Sequence, residues 1–173
     1  MSAVTGPLLG RPAADRACRR WVAAAVPDLS AVDGSRALGV GRGATTFTAL
    51  LAARHQHVLA AGALADGVAL VPGGAGGLSV RADRRGLLEV EPQLDGRFDL
   101  ILAIDTIRRL DADDIVLPHV GWLLTLGGHL LALDPVSRLD WAAVRARYQA
   151  LLPGARIDEV QPDVMAMRWQ RCR

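Results

Sequence analysis

The sequence predicts an α/β fold: a doubly wound, three-layer sandwich around a mixed seven-stranded sheet. Three observations carry that expectation. Strand-like apolar runs alternate with amphipathic helical stretches through five strands, which calls for crossover connections and a parallel sheet. The run Phe98–Ile104 is apolar enough to be buried on both faces, as a central parallel strand requires. Finally, the segments 155–160 and 164–169 are separated only by Gln161-Pro162-Asp163. That connection is too short for a parallel return, so the two form an antiparallel hairpin at the C-terminal end.

Taken in order, residues 12–25 put Ala14, Ala17, Cys18, Trp21, Val22 and Ala25 on one helical stripe with arginines opposite, and Pro27 ends that helix. A strand follows from Arg36. Gly41 and Gly43 then permit a tight turn, and Thr45 or Thr46 can cap a helix carrying Phe47, Leu50, Leu51 and Arg54. A strand, a glycine turn and a helix start form an arrangement that binds anions or polar cofactors, or simply an ordinary strand–helix turn. Residues 57–61 read as a second strand, 63–70 as a weak helix or another strand, 72–77 as a glycine-rich loop, and 78–82 as a third strand.

After the fourth strand, Phe98–Ile104, Asp111 can start a helix that is kinked at Pro118 or begins near Leu117, closing at Gly127-Gly128. Residues 129–134 are the fifth strand. Ser137 with Asp140 resembles a capping box opening a helix on which Trp141, Val144, Tyr148 and Leu151 share a face. Residues 1–34 are read as an N-terminal helix and linker, and 35–173 as the α/β domain.

The 173 residues suffice for one domain with a sizeable core, and 51% apolar content excludes a disordered chain. No apolar run approaches the roughly 20 residues that span a bilayer. The first residues lack a basic region followed by an apolar core, so a cytoplasmic protein without a membrane segment is expected. All 20 basic residues are arginine and the formal charge is +2. An absence of lysine this complete points to coding-genome composition rather than to phosphate contacts. The one basic cluster, Arg11, Arg16, Arg19 and Arg20, reads as the solvated face of a helix in preference to a nucleic-acid site. Cys18 and Cys172 fit no metal or redox spacing, so no metal is expected.

Three stretches carry a family resemblance. Leu38-Gly39-Val40-Gly41-Arg42-Gly43, Arg97 to Asp105 with its Phe-Asp-Leu start, and Leu124 to Leu133 with its Gly-Gly turn occur in order. With the terminal hairpin they resemble the class I S-adenosylmethionine-dependent methyltransferases, over almost all of residues 36–169. The resemblance implies a Rossmann-like sandwich and S-adenosylmethionine as cofactor. It puts Gly39, Gly41, Gly43, Gly62, Asp83 and Asp105 at the cofactor, with Asp105 also the candidate catalytic group where methyl donor and acceptor meet. Asp83 stands where the family often keeps a carboxylate for the adenine amino group; it reads equally as a turn residue, and Asp105 equally as a helix-capping carboxylate.

The pattern also departs from the family. Gly39 replaces the usual acidic residue of the first motif, Thr45 its third glycine, and Gly62 the carboxylate that binds the ribose hydroxyls. Hydrogen bonds to charged groups are worth about 1.5–3 kcal/mol each, so the last loss weakens binding on the order of a hundredfold. Asp66 would substitute only if its loop folds back. His119 and His129 have no acidic or nucleophilic partner at a recognisable spacing, and His55 and His57 read as solvated.

Residues 134–137 leave no room for an insert and a single helix precedes the domain, so an open site is expected. Two functions compete. The first is a methyltransferase acting on a small metabolite. The alternative is a catalytically inactive relative that serves as partner or scaffold subunit of an active enzyme. A small-molecule substrate or a partner chain is therefore the expected ligand, nucleic acid and membrane are not, and assembly with itself or another chain is expected. A third option, the fold recruited to another ligand, is not excluded by fold alone.

Overall fold

A computed structural model describes residues 12–41, 44–61, 96–107 and 116–172. The apolar faces foreseen in the sequence are used in three layers. Helix α1 (Pro12–Ala25) and the short α2 (Thr48–Arg54) cover one face of a sheet, and α3 (Val116–Leu123) and α4 (Trp141–Leu151) cover the other. The sheet comprises β1 (Arg36–Gly41), β2 (His57–Ala61), β3 (Phe98–Ile104), β4 (Leu124–Pro135), β5 (Arg156–Gln161) and β6 (Val164–Gln170). Its order is β2-β1-β3-β4-β6-β5, parallel from β2 to β4, with β6 antiparallel to both β4 and β5. The described sheet thus has six strands rather than seven; the strand expected at 78–82, with the segments 63–70 and 72–77, lies outside the described residues.

The strand period of two divides the core. Leu100, Leu102 and Ile104 of β3 face Cys18, Val22, Phe47 and Leu51, whereas Ile101 and Ala103 face Leu117, Val120, Tyr148 and Leu152. Burial on both sides is what makes β3 read as a continuous apolar run. Its one polar residue, Asp99, ties the amino ends of three strands together. Its carboxylate accepts the Arg36 backbone N–H at 2.9 Å and the Thr125 hydroxyl at 3.1 Å. The Phe-Asp-Leu motif is therefore a structural clamp at the end of the sheet remote from the candidate site.

Four local expectations are corrected. A 3-10 turn, Ala44–Phe47, precedes α2, which begins at Thr48; Phe47 occupies its N-cap position with no side-chain cap, so neither Thr45 nor Thr46 caps the helix. Phe47 is buried in the core, and burying such a side chain is worth about 1.5–3 kcal/mol against about 1 for a cap. Second, Gly127-Gly128 does not stop a helix. α3 ends at Leu123 and β4 runs through the pair, which forms a bulge: Phe98 pairs with Leu124 but Leu100 with His129. Gly127 has φ +84°, and a Cβ on Gly128 would crowd the Phe98 carbonyl, so glycine is required by the bulge itself. Asp111 lies outside the described residues. Third, Ser137 organises a turn, accepting the Asp140 and Leu139 backbone N–H groups. The helix starts later, at Trp141, with Asp140 at its N-cap and no side-chain cap.

The fourth correction concerns His55. It is 3% exposed rather than solvated, and both ring nitrogens are buried without a hydrogen-bond partner among the described residues. Desolvation pushes the imidazole below its ordinary pKa, opposed by the Leu51 backbone and the charges of Asp99 and Asp28 and reinforced by Arg54. His129 is lowered by burial as well. Because the folded form binds its proton less readily than the unfolded chain, the unfolded state gains protons first on acidification. Stability is then full above the unfolded histidine pKa of about 6.5 and falls as pH drops through it toward the depressed folded value. Urea midpoints measured between pH 7.5 and 5.5 should decline, and His55→Phe should flatten the decline, leaving the part due to His129. An equal slope in both proteins would refute the assignment to His55.

α1 seats Cys18 and Val22 in the core while Arg16 and Arg20 remain exposed and Arg19 pairs with Asp15 at 3.1 Å. Cys18 is buried, its thiol pushed up to about 11 mainly by desolvation, and Cys172 is exposed; both are free. Among the described residues no helix is long and apolar enough to cross a membrane, and no group of three or more metal-ligating side chains occurs.

Candidate functional site

The parallel strands β1, β2, β3 and β4 all end on one edge of the sheet, where open α/β sheets bind ligands. Gly41 closes β1 and pairs with Ile104, the last residue of β3, so the end of β1 and the residues after β3 are neighbours. Gly41 has φ +98°, and a Cβ there would run into Thr106 Oγ1 and the Ile104 carbonyl. Glycine is thus demanded twice, by backbone conformation and by the close approach of the adjacent turn.

Asp105 immediately follows β3. It is 9% exposed and adopts φ +50°, a left-handed conformation that aspartate tolerates better than most side chains. Its backbone N–H donates to the Leu133 carbonyl of β4 at 2.7 Å. Thr106 continues the turn: its N–H donates to Asp134 Oδ1 at 3.1 Å, and its hydroxyl to the Ile104 carbonyl at 2.8 Å and the Val40 carbonyl at 3.4 Å. Asp134, near the end of β4 and 1% exposed, also accepts the Tyr148 hydroxyl of α4 at 3.4 Å. Strained backbone of this kind persists where surrounding bonds over-determine it, and it clusters at functional sites.

The structure therefore brings Gly41 and Asp105 together, with Gly39 two residues back inside β1, buried and in register with Ala60 and Leu102. β2 ends at Ala61, on the same edge as Gly41. Gly43, Gly62, Asp66 and Asp83 lie outside the described residues. His119 is on α3 and His129 opens the regular part of β4, both remote from this edge. Sequence reading missed Thr106, Asp134 and Tyr148. A polar residue ending an apolar strand was the only available signal for Asp134.

The residues present fit a nucleoside cofactor in part. Gly41 and the Asp105 carboxylate stand on adjacent strand ends, while Gly39, buried inside β1, supplies no polar side chain to a ligand.

No family model and no curated protein matches the sequence. Solved structures do match the fold. An S-adenosylmethionine-dependent methyltransferase from Mesorhizobium loti superposes with a TM-score of 0.59 at 14% identity, over 90% of this chain and 98% of that one. The N-methyltransferase NodS from Bradyrhizobium japonicum gives 0.58 at 17% identity, over 95% and 100%. Phosphoethanolamine N-methyltransferase 1 of Haemonchus contortus, bound to phosphoethanolamine and S-adenosylhomocysteine, gives 0.59 at 12%, over 89% of this chain. This chain spans only 40% of that enzyme's length. The sheet order, the reversed β6 and these superpositions agree: the chain has the Rossmann-like fold of the class I S-adenosylmethionine-dependent methyltransferases.

Proposed function

We propose that this chain is an S-adenosylmethionine-dependent methyltransferase that acts on a small metabolite, with the cofactor along the ends of β1 and β2 and the acceptor over β3 and β4. The observation that carries the reading is the meeting of Gly41 and Asp105, two residues in positive-φ conformations, on adjacent strand ends of this fold. When bound, the cofactor would supply an electrophilic methyl group. The protein's part is proximity and orientation, worth several kcal/mol of barrier when the reacting atoms are aligned. Asp105 is the group set to take the acceptor's proton. A cytoplasmic location goes with this reading.

S-adenosylhomocysteine should stabilise the protein. At 100 times the dissociation constant the gain is about 2.7 kcal/mol, and for a chain of this size that raises Tm by roughly 5–10 °C. No shift and no heat of binding at millimolar ligand, with the protein folded, defeats the reading.

One observation favours the second function, a partner or scaffold subunit. Gly39 is buried without a carboxylate, while Trp122 and Leu126 are 61% and 64% exposed beside Pro118, Leu151 and Trp169, around a groove of about 350 Å³. That groove lies on the far side of the sheet's parallel strands from Asp105. Turnover by the isolated chain would exclude this alternative; an active methyltransferase that co-purifies with it from the native host would support it.

A further inference from the structure

We propose that Asp134 is a positioning residue: it holds the Asp105 turn against Gly41 at the end of β1, so that both halves of the candidate site share one geometry. The inference rests on the methyltransferase reading for its functional consequence, and on the following contacts for its mechanics.

Asp134 is almost fully buried, and a carboxylate in that position is costly unless its oxygens are hydrogen-bonded. An apolar side chain would fill the space more cheaply. What the carboxylate provides is an acceptor for the Thr106 N–H, with its other oxygen oriented by the Tyr148 hydroxyl from α4. Thr106 in turn bonds the Ile104 and Val40 carbonyls and occupies the space that a side chain at position 41 would need. The chain of contacts therefore runs from α4 through β4 and the end of β3 to the end of β1. Asp105 lies inside it, fixed on one side by its N–H to the Leu133 carbonyl and on the other by the clamped Thr106. With Thr106 released, the left-handed backbone of Asp105 relaxes, and the carboxylate and Gly41 lose their common register.

The test compares full-length Asp134→Ala, Asp134→Asn and Tyr148→Phe with the wild type by amide hydrogen exchange and by calorimetric titration with S-adenosylhomocysteine. In Asp134→Ala the Thr106 amide should exchange about ten- to a hundredfold faster, as expected for loss of a bond to a charged group, while amides of β6 keep their protection. Asp134→Asn keeps an acceptor oxygen and should stay within about threefold of wild type, since the bond weakens without disappearing. Cofactor affinity should fall about tenfold in the alanine variant and recover in the asparagine variant. A purely structural role would instead lower protection throughout the sheet.

Unchanged Thr106 protection in Asp134→Ala, or an asparagine variant as loose as alanine, overturns the proposal. If the alanine variant does not fold, Tyr148→Phe decides: a few-fold faster exchange confined to the Asp105–Thr106 turn supports it, and no local change overturns it. A wild type that binds no S-adenosylhomocysteine defeats the methyltransferase reading instead, and the exchange data still decide whether Asp134 holds the turn.

Discussion

Replacing Gly41 by alanine should cost about 2–5 kcal/mol of stability, combining the left-handed backbone penalty of about 1–2 with overpacking of about 1–3. The added methyl has nowhere to go. It meets Thr106 Oγ1 and the Ile104 carbonyl, and neither is the far end of a flexible chain. At roughly 2–4 °C per kcal/mol for a protein of this size, Tm should fall by roughly 4–20 °C. Combining the change with Thr106→Ala should return only part of the loss. The hydroxyl clash disappears, whereas the carbonyl clash and the φ penalty remain, so the double-mutant cycle should show positive coupling short of full rescue. A single variant whose urea midpoint differs by less than the equivalent of about 0.5 kcal/mol, the usual range for an exposed surface change, would show that the turn is not built this way.

Asp105→Asn should separate chemistry from folding. Asparagine visits the left-handed region as readily as aspartate, so the turn should persist and Tm should move little. The proton acceptor is lost, however, and a positioned general base typically contributes about 10²–10⁴ in rate. With an acceptor that the wild type methylates, kcat should drop by that factor while the S-adenosylhomocysteine dissociation constant stays nearly constant. Unchanged kcat would remove Asp105 as base and leave its carboxylate a turn-forming role. Asp105→Gly is the informative companion. Glycine adopts the left-handed backbone without a side chain, so this variant should fold and be equally inactive.

Much of the architecture was legible because it rests on local periodicity. The stripe of α1, the apolar run of β3 and the short link before β6 each name their element without help from distant residues. The same holds for Gly41 as a position that needs glycine, since it ends an apolar strand and adopts φ +98°. Element boundaries were less legible wherever burial competed with capping. Phe47 displaced the threonines at the start of α2, and the Gly127-Gly128 pair, a plausible helix stop locally, became a bulge because the Phe98 carbonyl crowds Gly128 from another strand.

The sequence by itself determined the order of the described strands and helices, the reversal at the end of the sheet, and Asp105 as a carboxylate at the end of a buried strand. Those follow from hydrophobic period and connection length, which a chain carries wherever it folds. Only the tertiary structure decided that Asp99 clamps the sheet's remote end, that His55 is buried with no hydrogen-bond partner among the described residues, and that Asp134 reaches Thr106 across 28 residues. Each depends on which strand ends become neighbours, and hydrogen bonds between distant segments leave no periodic trace in the residues that make them.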